Sequence, residues 1–319
     1  MPEVACVGVA CVDVLAKTVH RIPKRGKLEI VEALQLQAGG CAVNAAIGLS
    51  RLGVTSALIG KIGNDGFGQY LLKVLQEERV NTEGLAIDPH VQTSASVVLI
   101  DHSGERSILH CLGTNALFTY EDVNLTLVQS SKILFIAGAL LLPRFDGEGA
   151  TKLSRLARDA GLLVCMDTAW DWSGQWFCKI RHTLPYVHWF MPSFEEAKEL
   201  SGHSNPEDMA CFFITQGVEN VVIKLGEKGC YVHSTADKSS FFVPAYKVER
   251  VVDTSGAGDA FCAGFIAGLI EGLTPYQCAK LANAVAAHCI MEIGTTVGIR
   301  RKEEILNFMK AHPTISSTG

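Results

Sequence analysis

Short apolar runs alternate along the chain with stretches in which apolar residues recur every three or four positions. "VACVGVA" (4–10) predicts a buried strand, and "CAVNAAIGLSRLG" (41–53) a helix ended by glycine. "TSALIGKIG" (55–63) is a strand pattern and "GFGQYLLKVLQEERV" (66–80) a helix pattern. The same order repeats in "KILFIAGAL" (132–140), "GEGATKLSRLARDAG" (147–161) and "LLVCMD" (162–167). "HWFMP" (188–192) leads into the helix "SFEEAKELSG" (193–202), and "NVVIKLGEKGCYVH" (220–233) reads as a strand pair around a glycine-rich turn. Three helical patterns close the chain, at 257–271, 274–293 and 301–311. Repeated strand-then-helix units predict an α/β fold with a mainly parallel sheet covered on both faces.

Two stretches break this rhythm. "KLEIVEALQLQ" (27–37) and "TSASVVLIDHSGERSILHC" (93–111) alternate apolar and polar residues, the mark of strands with one face buried and one wet. Together they predict a small antiparallel sheet that closes over a ligand or pairs with a second chain. The main body then comprises residues 1–13, 38–91 and 114–319, and the small sheet 14–37 and 92–113. The tail "AHPTISSTG" (311–319) is expected to fray.

Composition narrows the field. The 319 residues are 48% apolar and only 19% charged, which fits a large buried core and excludes a disordered chain. A net charge of −5 gives no footprint for nucleic acid or for a polybasic membrane surface. Apolar runs of ten residues, at 133–142 and 261–270, are too short to span a bilayer. The eleven cysteines are scattered without a C-x-x-C pair, and the ten histidines show no zinc spacing. A reducing cytoplasm is the expected compartment.

Chemistry concentrates in a few places. In "VVDTSGAGDAF" (251–261), Gly256, Ala257 and Gly258 form a turn that feeds a helix, with Asp259 on its first turn. Such a turn leaves backbone N–H groups free for phosphate oxygens, although an acid there equally stabilises a helix N-terminus. It lacks the third glycine of a dinucleotide fingerprint and the G-K-[ST] of a Walker A loop. In "QAGGCAVNAA" (37–46), Gly39 and Gly40 permit close backbone approach, and Asn44 lies on the next helix. Asp13, in "GVACVD" (8–13), stands where open α/β sheets place ligands, at the carboxyl end of the first strand.

Together these segments resemble the PfkB carbohydrate kinase family, with its ribokinase-like three-layer sandwich and small β-sheet lid. "DTSGAGDAF" is similar to the family's C-terminal signature and "AGGCAVNAA" to its N-terminal one. The resemblance implies that Asp259 is the general base toward a sugar hydroxyl, and that the N–H groups of Gly256, Ala257 and Gly258 form an anion hole for the γ-phosphoryl group of ATP. A base beside that helix dipole is expected to stay ionised at neutral pH. Asp13, Gly39, Gly40 and Asn44 are then expected to bind substrate hydroxyls, with Cys11 standing where ribokinases proper carry a second polar residue. Arg106, on the small sheet, is either a further substrate contact or solvated.

"MPSFEEAKEL" is similar to the family's N-x-x-E motif, so Glu196 is a candidate for holding Mg2+ through water. Ser193 replaces the asparagine, and Ser193 with Glu196 equally spells a capping box. By the same resemblance Lys224, Gly226 and Asn283 lie near the nucleotide, and Asp253 near a monovalent cation such as K+. Ala169 and Asp171 stand in place of the asparagine and arginine of the D-x-N-x-R pattern of several fructokinase-like and ketodeoxygluconate-kinase-like members; an acidic sugar would lose a cationic partner, so a neutral sugar is the expected substrate. A nucleoside kinase, or a non-catalytic binding or scaffold protein on this fold, are the alternatives. A homodimer through the small sheet is the expected assembly.

Overall fold

The computed structural model describes residues 1–102, 105–235 and 238–314. In chain order the strands are β1 (Val4–Gly8), β2 (Cys11–Lys17), β3 (Ala33–Gly39), β4 (Ser56–Gly63), β5 (Asn81–Asp88), β6 (Ala95–Ile100), β7 (Arg106–Cys111), β8 (Ile133–Ala139), β9 (Leu163–Thr168), β10 (Trp189–Phe190), β11 (Asn220–Lys224), β12 (Cys230–Ser234) and β13 (Ser239–Val243). The helices are α1 (Cys41–Arg51), α2 (Gly66–Glu77), α3 (Leu125–Gln129), α4 (Glu148–Asp159), α5 (Phe177–Ile180), α6 (Phe194–Ser201), α7 (Pro206–Thr215), α8 (Ala257–Ile270), α9 (Pro275–Cys289) and α10 (Lys302–Ala311).

A nine-stranded sheet runs in the order β13-β12-β11-β10-β9-β8-β1-β4-β5. It is parallel from β11 to β5, and β12 and β13 add an antiparallel edge. Successive residues of a strand point to opposite faces, and both faces are dry here. In β1, Val4 and Cys6 join one core with Ala45 of α1, Phe265 of α8, Leu281 of α9 and Ile305 of α10. Ala5 and Val7 join the other, with Leu153 of α4, Leu200 of α6 and Phe213 of α7. These are the three layers of the predicted sandwich. The described cysteines are all free thiols. Among the described residues no helix is long and apolar enough to cross a membrane.

The second sheet has four strands in the order β3-β2-β6-β7. Residues 27–32, expected in a strand, are not in one: β3 starts at Ala33, which faces Lys17 at the end of β2, so the earlier residues have no partner strand. Asp13 also differs from expectation. β1 stops at Gly8, where a Cβ would lie 2.0 Å from the Ala137 carbonyl oxygen, and Asp13 stands on β2 of the small sheet. The tail expected to fray, 311–319, is described as far as Thr314, which bridges to Tyr246, and residues 315–319 lie outside the described residues.

Register gives the small sheet two unlike faces. Asp13 is directly opposite Gln37 on β3 and Ser96 on β6, and Ser96 is opposite His110 on β7, so four polar side chains form one row. The same face carries Leu15, Val98 and Ile100, which pack on Ile293 of the main body. The reverse face carries Leu34 and Leu109, 69% and 67% exposed, together with Leu36 and Val97.

Candidate active site

Gly256 begins the site. It caps α8 with a left-handed backbone, φ +73°, and a Cβ there would lie 2.2 Å from the Thr295 carbonyl oxygen. Only glycine suits both demands. The turn aims the first N–H groups of α8 outward. Ala257 N–H donates to Thr254 O at 3.3 Å, while among the described residues no hydrogen bond engages the N–H groups of Gly256, Gly258 or Asp259. Of the three N–H groups expected to form an anion hole, two are therefore open, and Asp259 supplies another.

Asp259, half-buried at that N-terminus, is held from the other end of the chain. Asn44 Nδ2 donates to its Oδ2 at 2.8 Å, and Thr295 Oγ1 lies 2.9 Å from Asn44 Oδ1. Burial pushes the Asp259 carboxyl up from the ordinary carboxylate range, against the pull of the Asn44 hydrogen bond and the Lys224 charge. Asn44 itself is buried, and its amide orients the carboxylate while keeping one N–H uncommitted among the described residues. Gly39 ends β3 and Gly40 caps α1: a Cβ on Gly39 would lie 2.2 Å from Asp13 Oδ2, and one on Gly40 2.5 Å from Val9 O. Burial also raises the Asp13 carboxyl, offset by its contacts with Ser96, Cys11 and His110.

Lys224, at the end of β11, anchors the opposite wall. Its Nζ lies 2.7 Å from Asp167 Oδ1, and a Cβ on Gly258 would lie 3.3 Å from it. Burial works against the lysine charge, but Asp167, Cys262 and Glu196 outweigh it and hold the ammonium far above the ordinary lysine range. Burial pushes Asp167 up, Lys224 pulls it down, and Glu196 and Asp259 push it up again. One cation thus stands among three carboxyl groups.

Ser193 and Glu196 do form a capping box: Ser193 N–H donates to Glu196 Oε2 at 2.9 Å and Glu196 N–H to Ser193 Oγ at 3.3 Å. Thr168 Oγ1 also donates to Oε2, at 3.0 Å, and Oε1 has no hydrogen bond among the described residues.

Behind the turn lies a cavity of about 370 Å3 walled by Val248, Val251, Phe261, Ala286 and Ile290. Lys224, Gly226, Ala257 and Gly258 border it. Its size and apolar walls with polar groups at one end suit a planar heterocycle bearing phosphates. Asn283 lines it too, yet its Nδ2 is spent on Val243 O and Pro244 O at 3.0 and 3.1 Å, joining the end of β13 to α9. Arg106 and Asp253 meet each other at 3.0 Å, on the flank of the turn. Asp171 lies apart, buried, binding Lys179 at 2.9 Å and capping Trp176 N–H at 2.6 Å.

Comparison with known proteins places this arrangement. The model of the pfkB family of carbohydrate kinases matches residues 1–302. The chain belongs to that family. It is 27% identical to the 2-dehydro-3-deoxygluconokinase of Bacillus subtilis, over 91% of this chain and 92% of that one. It is 28% identical to fructokinase-2 of Oryza sativa, over 80% of each. The Arabidopsis thaliana ribokinase solved with ribose and ATP superposes with a TM-score of 0.83 at 22% identity, over 97% of this chain and 99% of that one. The protein is an ATP-dependent carbohydrate kinase of ribokinase-like fold.

Several residues that the fold brings to this place escaped sequence reasoning. Asp167 pairs with Lys224, Thr295 reaches Asn44, and Gln37, Ser96 and His110 line up with Asp13, all through contacts between distant segments. A signal for the polar row was present in the alternation of 93–111, which fixes which residues share a face but not where that face points.

The ion pair at Lys224 yields a test. Lys224→Met strands a buried carboxylate and should cost about 3–5 kcal/mol of unfolding free energy near neutral pH. The loss should shrink as pH falls and Asp167 takes up a proton. Denaturant titrations at two pH values check this, and a loss that is small or independent of pH contradicts it.

Proposed function

We propose that the protein transfers the γ-phosphoryl group of ATP to a primary hydroxyl of a neutral monosaccharide, with Asp259 as general base. The observation that carries this reading is the convergence at one helix N-terminus of a carboxylate, open N–H groups and the Lys224 ammonium. The polar row with Asp13 lies on the small-sheet face turned to the main body. Asp259 accepts the hydroxyl proton as that oxygen bonds to phosphorus and the bond to the leaving ADP breaks. The N–H groups of Gly256, Gly258 and Asp259 stabilise charge on the transferring group, and being fixed they need no reorganisation. Asp13, Gln37, Ser96 and His110 hold the sugar. These are uncharged or anionic groups apart from the imidazole, whose pKa burial lowers. That favours a neutral polyol over an acidic sugar, and the row offers a nucleoside base little to stack on.

Mg2+ would enter with the nucleotide. Among the described residues no group of three or more His, Cys, Asp or Glu could hold a metal alone. Glu196, with Oε1 unengaged beside the Lys224–Asp167 pair, fits a water-mediated role, and the ion would supply charge neutralisation on the phosphates. A potassium ion is not needed to balance Asp253, which already pairs with Arg106. We also assign the small sheet the role of a lid, and its apolar reverse face, with Leu34, Leu36, Val97 and Leu109, that of a dimer contact.

Three outcomes follow. Asp259→Asn keeps shape and a hydrogen-bonding oxygen, so turnover should fall ~10²–10⁴-fold while ATP still binds. A coupled assay over a panel of sugars and nucleosides, with and without potassium, reads this; a folded variant within a few-fold of wild type would sink the mechanism, and binding without turnover by the native chain would favour a scaffold. Glu196→Gln should raise the magnesium concentration needed for half-maximal rate, whereas a pure cap would cost about 1 kcal/mol of stability and leave the magnesium titration unmoved. Light scattering at micromolar concentration should give twice the chain mass, and Leu109→Asp the mass of one chain; a monomeric native protein excludes the dimer.

A further inference from the structure

Arg106 does something its sequence context does not suggest. It opens β7 at the edge of the small sheet, yet its guanidinium crosses to the main body. There Nη1 donates to Asp253 Oδ1 at 3.0 Å and to Ser255 Oγ, and Nη2 donates to Thr254 Oγ1 at 2.9 Å. These are three consecutive residues leading into the turn at Gly256. Asp253 is itself a junction: its Oδ1 accepts from Ser255 N–H and its Oδ2 from Gly294 N–H, each at 2.9 Å. Gly294 adjoins Ile293, on which Leu15, Val98 and Ile100 of the small sheet pack, and Thr295, which reaches Asn44.

We propose that Arg106 is a positioning residue that latches the small sheet to the loop leading into α8, so that the polar row and the open N–H groups keep one geometry. The proposal rests on reading the 256–259 turn as the phosphate seat. The chemistry suits a latch. A planar guanidinium engages several acceptors in a fixed fork, and charge-assisted bonds are roughly twice as strong as neutral ones. The latch is also releasable. The Arg106 side chain is 28% exposed, and a cavity of about 210 Å3, bordered by Thr18, Ile100 and Arg250, lies beside it. At the other edge of the sheet a different tie operates, from Tyr70 Oη to Leu36 O at 2.7 Å. Releasing Arg106 therefore frees the β6–β7 edge and the 253–255 loop while β3 stays tethered.

Hydrogen exchange on the ligand-free full chain tests this without reference to catalysis. In Arg106→Met, the hydrogen-bonded amides of Asp253, Ser255 and Ala257 and those of β6 and β7 should exchange faster together, by about five- to thirty-fold, the effect of losing the three charge-assisted bonds of the guanidinium. Arg106→Lys keeps the charge and loses the fork, and should fall between. Asp253→Asn should loosen the same two segments from the opposite side, which keeps the test alive if the methionine variant folds poorly. Unchanged exchange at Asp253, Ser255 and Ala257 in the three variants, or acceleration confined to the small sheet, overturns the latch. Binding of a non-hydrolysable ATP analogue to the native chain is measured separately: its failure would count against the kinase reading and leave the exchange result intact.

Discussion

The site depends first on how closely α1 and α8 can approach. A Cβ on Gly48 of α1 would lie 2.8 Å from the Ala263 Cβ of α8, so the two helices meet backbone to side chain. Gly264 and Gly268 do the same against α9, where added Cβ atoms would lie 2.8 Å from Ala282 Cα and from Cys278 Sγ. α8 is consequently clamped between neighbours, and its residues from Ala260 to Gly268 are buried. This explains why so long an apolar helix has no polar face. It also fixes the N-termini of α1 and α8 side by side. That is why Asn44 can reach a carboxylate 215 residues away.

A second constraint is electrostatic. Asp167, Glu196 and Asp259 gather around Lys224, an excess of negative charge in a half-buried place. Burying like charges raises the cost of keeping each ionised. The helix dipole alone would hold Asp259 low; burial moves it the other way, and Asn44 with Lys224 limits the movement. A carboxylate less completely stabilised is a better proton acceptor than one deeply paired. The strain of assembling these charges fits a site whose incoming ligand carries its own counter-charges.

The fold is legible in the sequence where information is local. Alternating strand and helix patterns match most of the main-body elements, because buried parallel strands read as apolar runs and the covering helices as amphipathic ones, whereas β5, β13, α3, α5 and α7 gave no such pattern. The turn at Gly256 and the Gly39–Asn44 segment are legible for the same reason: a positive φ, a close backbone approach and a capping pattern leave marks within a few residues. Asp13 reads as the end of the first strand because nothing in "GVACVD" shows that β1 stops at Gly8 and β2 begins at Cys11. Ser193 and Glu196 are legible as a pair, and both marks of a capping box are present. Arg106 cannot be placed from sequence, since its partners at 253–255 lie nearly half the chain away.

The small sheet shows why one pattern supports two readings. Alternation in 93–111 says only that one face is apolar and one polar. In a lone sheet the apolar face would turn to the core. Here the polar row turns inward, with Leu15, Val98 and Ile100 giving an apolar seat on Ile293 beyond it, and the reverse face is left exposed at Leu34 and Leu109. The inversion leaves both faces only partly covered, which fits the proposed lid and dimer contact. A polar row facing a cleft is satisfied by a hydroxyl-rich ligand, and an apolar face of this kind is satisfied by a like surface. One strand pattern therefore gives the sheet two unlike surfaces, which are those that the proposed sugar site and the proposed dimer contact would use. The register that puts Asp13, Ser96 and His110 in line necessarily puts Val97 and Leu109 on the opposite side, so neither surface can be altered by a one-residue slip without destroying the other.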